Sequence, residues 1–137
     1  MQTSLNSAAY ALQQTLCAAR GWEQRYRELL QIGKQAPNNE HIRTSEFQVQ
    51  GCQAKVWLQV NVQEGGMQVL ADSDARLVKA LLQVMITPLQ GQPLEYLAQF
   101  DFSAWLAQCQ LADHLSASRV NGLHQMALAL KAHAPLA

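Results

Sequence analysis

The sequence predicts an α+β protein in which a small three-stranded antiparallel sheet packs against several helices. Three observations carry that expectation. Alternation of apolar and polar residues over Val56–Val62 and again over Met67–Ala71, with Gln63-Glu64-Gly65-Gly66 between them, has the period and the turn chemistry of a hairpin. Apolar residues on both sides of that hairpin recur at helical spacing. Helical segments kept apart from a run of strands belong to α+β rather than to alternating α/β architecture.

Taken in order, Ser4 or Asn6 can cap a first helix running to about Ala19, with Leu5, Ala9, Leu12 and Leu16 on one stripe. Gly21 breaks it. Trp22, Tyr26, Leu29, Leu30 and Gly33 then mark the inner face of a second helix, leaving Arg25, Arg27 and Glu28 on its solvated side. Pro37-Asn38-Asn39 ends it. Thr44–Gln50, with Phe47 and Val49 on one face, is expected as the third strand beside the hairpin. Val60, Val62 and Val69 are expected on the sheet's apolar face. Asp72 is placed as the N-cap of the next helix and Asp74 in its first turn, where the macrodipole favours a negative charge. Leu77, Val78, Leu81, Leu82 and Met85 make its buried stripe, and Thr87-Pro88 ends it. Pro93 suits the first position of a short helix. Leu94, Leu97, Phe102, Trp105 and Leu106 add core. Ser116 caps a last helix with the stripe Val120, Leu123, Ala127 and Leu130, and the tail after Ala132 is expected to fray.

With 137 residues, one domain over 1–137 is the expectation, and 49% hydrophobic content supplies a modest core. Ten basic residues balance ten acidic ones, with no local run of Lys and Arg, so neither nucleic acid nor a membrane is expected as a partner. The N-terminus lacks a basic start followed by an apolar run, and no stretch is long and apolar enough to cross a bilayer. Three cysteines cannot all pair within one chain. Together these features lead us to expect a cytoplasmic protein with at least one free thiol.

Cys17, Cys52 and Cys109 lie far apart in sequence without a C-x-x-C pair, so no metal site is expected. Cys17 and Cys109 fall on amphipathic stretches and read as packing residues. Cys52 differs, because Gly51 precedes it and two strand-like runs flank it. Gly51 can adopt backbone angles closed to other residues, which would let the thiol be aimed sharply. Either burial as a small hydrophobe or a reactive role fits any single free cysteine. His41, His114, His124 and His133 have no metal-binding spacing, although His114 could serve Cys52 as a base. No serine stands in a nucleophile-elbow motif. Arg119, in the first turn of the last helix, occupies the end where a positive charge is disfavoured. It either pairs with Asp72, Asp74 or Asp113 or serves a site.

Several blocks of this chain together resemble the SufE family of sulfur acceptors. They are Trp22-Glu23-Gln24-Arg25-Tyr26, Leu29-Leu30 with Gly33-Lys34, Gly51-Cys52-Gln53 running to Val56-Trp57-Leu58, Asp72-Ser73-Asp74-Ala75, Val78-Lys79-Ala80-Leu81, and His114 through Arg119 to Gly122-Leu123. The resemblance implies the SufE/NifU-like α+β architecture. It also implies a partner, a pyridoxal-phosphate cysteine desulfurase of the SufS/CsdA kind used in iron–sulfur cluster assembly. The desulfurase holds sulfur as a persulfide, and Cys52 would accept that sulfur and pass it to a downstream acceptor or cluster scaffold. On this reading the chain is a carrier and activator rather than an enzyme, and it binds no cofactor of its own. Gly51, Gln53, Arg119 and Asp74 would support Cys52 or the partner. Two alternatives stay open from the residues: a stand-alone thiol peroxidase or hydrolase using Cys52, and an interaction module with Cys52 in its core.

Overall fold

The computed structural model describes residues 6–51, 54–112 and 115–134. Cys52, Gln53, Asp113 and His114 lie outside the described residues, as do Ser4 and Leu5 of the first predicted helix. Asn6 is the cap of α1 (Ser7–Ala18): its Oδ1 accepts from the Ala9 N–H at 2.7 Å, while its Nδ2 donates to the Thr87 and Gln90 carbonyls. One side chain thus starts a helix and ties it to a loop more than eighty residues away in sequence.

The second helix, α2 (Gly21–Gln35), buries Leu29 and Gly33 as expected, but Arg25 in place of Tyr26. Arg25 is not on the solvated face. Its Nε donates to the Leu16 carbonyl at 3.1 Å and its Nη2 to the Ala19 carbonyl at 3.2 Å. The last turn of a helix leaves carbonyls without intrahelical partners, and a cation there also meets the negative end of the dipole. The end of α1 therefore draws Arg25 inward and turns Tyr26 outward, where it is 37% exposed.

The sheet has two strands among the described residues, β1 (Val56–Gln63) and β2 (Gly66–Ser73), paired antiparallel from Val56 opposite Ser73 to Gln63 opposite Gly66. The third strand expected over Thr44–Gln50 is reduced to one bridge, Gln48 opposite Trp57. The Phe47 N–H turns back onto the Thr44 carbonyl at 3.2 Å, so only Phe47 and Val49 remain free to bond Leu58 and Val56 across the edge. That short segment still covers one edge of the hairpin. On the other edge the Gln90 side chain acts as a peptide group, accepting from the Val69 N–H at 2.9 Å and donating to the Val69 carbonyl at 2.7 Å. Both edges are thereby closed against stray pairing.

Burial along β1 departs from simple alternation. Val56, Trp57 and Leu58 are all buried, whereas Val62 is 67% exposed. The Arg43 guanidinium lies 5.0 Å above the Trp57 ring and covers the face expected to meet water. Val62 sits near the hairpin tip, beyond the reach of the helices.

Helix α3 (Arg76–Ile86) crosses the sheet and buries Ala80, Leu81, Leu82, Val84, Met85 and Ile86. Its chain continues as a short 3-10 turn, Thr87–Leu89. Gly33 lets α2 approach α3 closely, because a Cβ there would come within 3.0 Å of the Ala80 Cβ. Helix α4 (Tyr96–Gln99) begins after Pro93 rather than at it. Then come α5 (Phe102–Gln108), capped by Asp101, and α6 (Ala117–Lys131), capped by Ser116. Trp105 fills the space under α3 and donates its indole N–H to the Val84 carbonyl at 2.8 Å.

Asp72 is not the N-cap of α3, and Asp74 does not lie in its first turn. The helix begins at Arg76, its N-cap is Ala75, and no side chain caps it. Asp72 belongs to β2 and is fully buried. Its Oδ2 meets Arg43 Nε at 2.8 Å, and its Oδ1 accepts from the Ser73 N–H at 2.9 Å with Lys79 Nζ 3.7 Å away. A buried carboxylate needs such partners, and capping would leave it exposed.

Candidate functional site

The segment around Cys52 leaves the sheet edge at Val49 and returns at Val56, and the Val49 N–H donates to the Val56 carbonyl at 2.8 Å. Gly51 has φ +89, an angle that side-chain-bearing residues rarely adopt. The conformational reason for a glycine before Cys52 is therefore present. Gly51 lies against α6: a Cβ built on it would meet the Gln125 side chain at 3.4 Å.

The return of the segment is held at Lys55. Its N–H donates to Asp74 Oδ1 at 3.0 Å, and its carbonyl accepts from Ser73 Oγ at 2.8 Å and from the Asp74 N–H at 3.3 Å. Ser73 Oγ in turn accepts from the Ala75 N–H at 3.1 Å. Asp74 is thus a clamp on the segment, not a partner for a helix dipole. Behind the clamp stands the Arg43–Asp72 pair, with Arg43 Nη2 also donating to the Ser73 carbonyl at 3.2 Å. Burial alone would raise the Asp72 pKa. The hydrogen bond from Arg43, the Ser73 N–H, and the charges of Arg43 and Lys79 outweigh it, so the carboxyl stays below its ordinary value and ionised.

Two clefts flank the segment. One, of about 470 Å³, is lined by Ala54, Val56, Ala75, Val78, Arg119 and Gly122, among others. The other, of about 500 Å³, lies on the Gly51 side between Val49, Gln50, Gln125, Leu128 and His133. Arg119 is exposed, and among the described residues it forms no ion pair. The structure therefore brings Ala54 and Arg119 to one cleft, ties Asp74 to the neighbouring Lys55 and sets Gly51 against α6, while Cys52 and Gln53 fall outside the described residues. Among the described residues, no group of three or more His, Cys, Asp and Glu could hold a metal ion.

The remaining cysteines stand apart. Cys109 is buried, and its burial, then the nearby Cys17, push its thiol up to about 12, which leaves it protonated and inert. Cys17 is exposed rather than packed, donating its thiol to the Gln108 carbonyl at 3.0 Å.

The family model described as SufE, Fe-S metabolism associated domain, matches residues 10–134. The chain belongs to the SufE family. It is similar to the sulfur acceptor protein CsdE of Escherichia coli (strain K12), with 33% identity over 124 residues, covering 89% of this chain and 84% of that protein. It is also 30% identical over 115 residues to an uncharacterized SufE-like protein of Haemophilus influenzae, covering 82% of this chain and 91% of that one. Its fold matches the solution structure of a hypothetical protein from Thermus thermophilus with a TM-score of 0.74, at 19% identity and 96% coverage of each chain. Among the described residues of this SufE-family chain, no helix is long and apolar enough to cross a membrane.

Sequence reasoning missed Ser73, Lys55 and Arg43 as the parts that hold the segment. A signal existed for the first. Reflecting Val56 through the Glu64-Gly65 turn puts Ser73 opposite it, so the strand had to outlast Ala71. Nothing in the sequence pairs Arg43 with Asp72, because they stand 29 positions apart and meet only in the folded chain.

Proposed function

We propose that this chain accepts sulfur from the persulfide of a cysteine desulfurase onto Cys52 and hands it to a later acceptor. Membership of the SufE family and the E. coli relative named a sulfur acceptor support this reading. The observation that carries it is the setting of the Cys52 segment: an exposed Gly51 at positive φ, a fixed return at Lys55, and an exposed cation, Arg119, in the adjoining cleft. Such a setting suits a thiolate that must be reached by another protein.

In the transfer, the Cys52 thiolate attacks the outer sulfur of the partner's persulfide. The new S–S bond forms at Cys52 as the partner's S–S bond breaks. The electron pair leaves with the partner's own cysteine sulfur as a thiolate, and the terminal sulfur is carried on Cys52 as a persulfide. No net oxidation occurs. Arg119 favours the anionic sulfur at either stage. Pyridoxal phosphate belongs to the desulfurase, and the present chain supplies the acceptor and its setting.

The test is intact-mass analysis after incubation with a desulfurase and L-cysteine. A reductant-sensitive gain of one sulfur in the wild type, absent from Cys52→Ser and kept in Cys17→Ala and Cys109→Ala, is the expected result. Arg119→Ala should melt like the wild type yet transfer sulfur more slowly, with Arg119→Lys intermediate. Full stimulation of the desulfurase by Cys52→Ser would refute the reading.

A further inference from the structure

The chain has no net charge, yet its cations are not evenly spread. Four of its ten basic residues, Arg27, Lys34, Arg76 and Lys79, line a single cleft of about 600 Å³ between α2 and the start of α3. Asp74 is the one acidic residue in the lining, and its Oδ1 is engaged by the Lys55 N–H. Arg27 shares its charge with the exposed Glu23 at 3.1 Å, and Lys79 leans on the buried Asp72. Arg76 and Lys34 are exposed and form no ion pair among the described residues. Arg76 also stands in the first turn of α3, where the dipole disfavours a cation and no side chain caps the helix. No ion pair among the described residues uses that charge, which leaves it open to a partner.

Ser73 and Asp74 line this cleft and also hold the return of the Cys52 segment at Lys55. Whatever sits in the cleft therefore abuts the clamp on the return of the Cys52 segment. We propose that the cleft between α2 and α3 is a docking site for a carboxylate-rich segment of the desulfurase, which seats the partner beside Cys52. The proposal rests on the sulfur-acceptor reading and adds the chemistry of the contact. The cations stand on two helices, Arg27 and Lys34 on α2 and Arg76 and Lys79 on α3, with Leu30 also in the lining. That spread matches several carboxylates on one peptide better than a single compact anion. Because the net charge is zero, attraction is confined to short range and acts at the docking step.

The experiment uses the double variant Lys34→Glu/Arg76→Glu in the full chain. The first change puts an acid at the end of α2 and the second puts one at the start of α3, so their dipole effects oppose and the melting temperature should hold. Desulfurase stimulation is measured against the concentration of this protein at low and high salt. The expected result is a rise of about tenfold in the half-saturating concentration, with the maximal rate kept and the salt dependence reduced. A half-saturating concentration within about twofold of wild type, or an unchanged salt dependence, would overturn the proposal. If the double variant melts early, Arg76→Gln alone is read in the same way. Inorganic phosphate or a thymidine oligonucleotide that raises the melting temperature of the wild type but not of the variant would reassign the cleft to a small anion or to nucleic acid. A wild type that gains no sulfur on Cys52 would instead sink the sulfur-acceptor reading itself.

Discussion

Replacing Arg43 with alanine should be among the most damaging single changes outside the aliphatic core. Asp72 is fully buried, and Arg43 supplies its shortest contact at 2.8 Å. Breaking a buried ion pair from one side costs about 3–5 kcal/mol, because the remaining charge is stranded. Two features reduce that figure here: the Arg43 side chain is 35% exposed, and Lys79 stays 3.7 Å from the carboxylate. About 2 kcal/mol is a fair value for the pair. Loss of the guanidinium above Trp57 adds about 0.5 kcal/mol. For a chain of this size that corresponds to a fall in Tm of roughly 6–12 °C. The pH dependence is a sharper check. Since the folded-state pKa of Asp72 is lowered, its stabilisation is complete above the unfolded carboxylate pKa and is lost as pH falls through the folded one. The gap between wild type and Arg43→Ala should therefore be full at neutral pH and close on acidification. Thermal melts by circular dichroism over a pH series, with Arg43→Ala also made in an Asp72→Asn background, measure this. A neutral-pH loss below about 0.5 kcal/mol, or the same loss in the Asp72→Asn background, would refute the argument.

Arg25→Ala should cost about 2 kcal/mol, because two charged hydrogen bonds to the end of α1 are lost in a buried position; denaturant melts that match wild type would return Arg25 to the surface. Brief treatment of the native protein with iodoacetamide at mildly alkaline pH should label Cys17 and spare Cys109, whose thiol is pushed up to about 12, until denaturant is added. Peptide masses showing both labelled at similar rates in the native state would contradict the burial argument.

Much of this fold is legible from one sequence because local chemistry and periodicity specify it. The hairpin follows from two alternating runs around Glu64-Gly65, Asn6 and Ser116 cap helices where their short polar side chains predict, and Gly51 takes a positive φ where a glycine precedes Cys52. Each depends on residues a few positions apart. The family, too, could be recognised from ordered blocks of residues, and the match over 10–134 agrees. What the sequence could not decide depends on groups that meet only in three dimensions. Arg25 looks like any surface arginine until the carbonyls of α1 arrive beside it. Asp72 and Asp74 look like helix-start acids until β2 runs on to Ser73, and then one is buried against Arg43 and the other grips Lys55. The four cations lie two on α2 and two on α3, and it is the close crossing of Gly33 against Ala80 that brings the two sets around one cleft. Sequence periodicity reports which side of an element is apolar; long-range pairing of charges and orphaned backbone groups is a property of the assembled surfaces, and only packing reveals it.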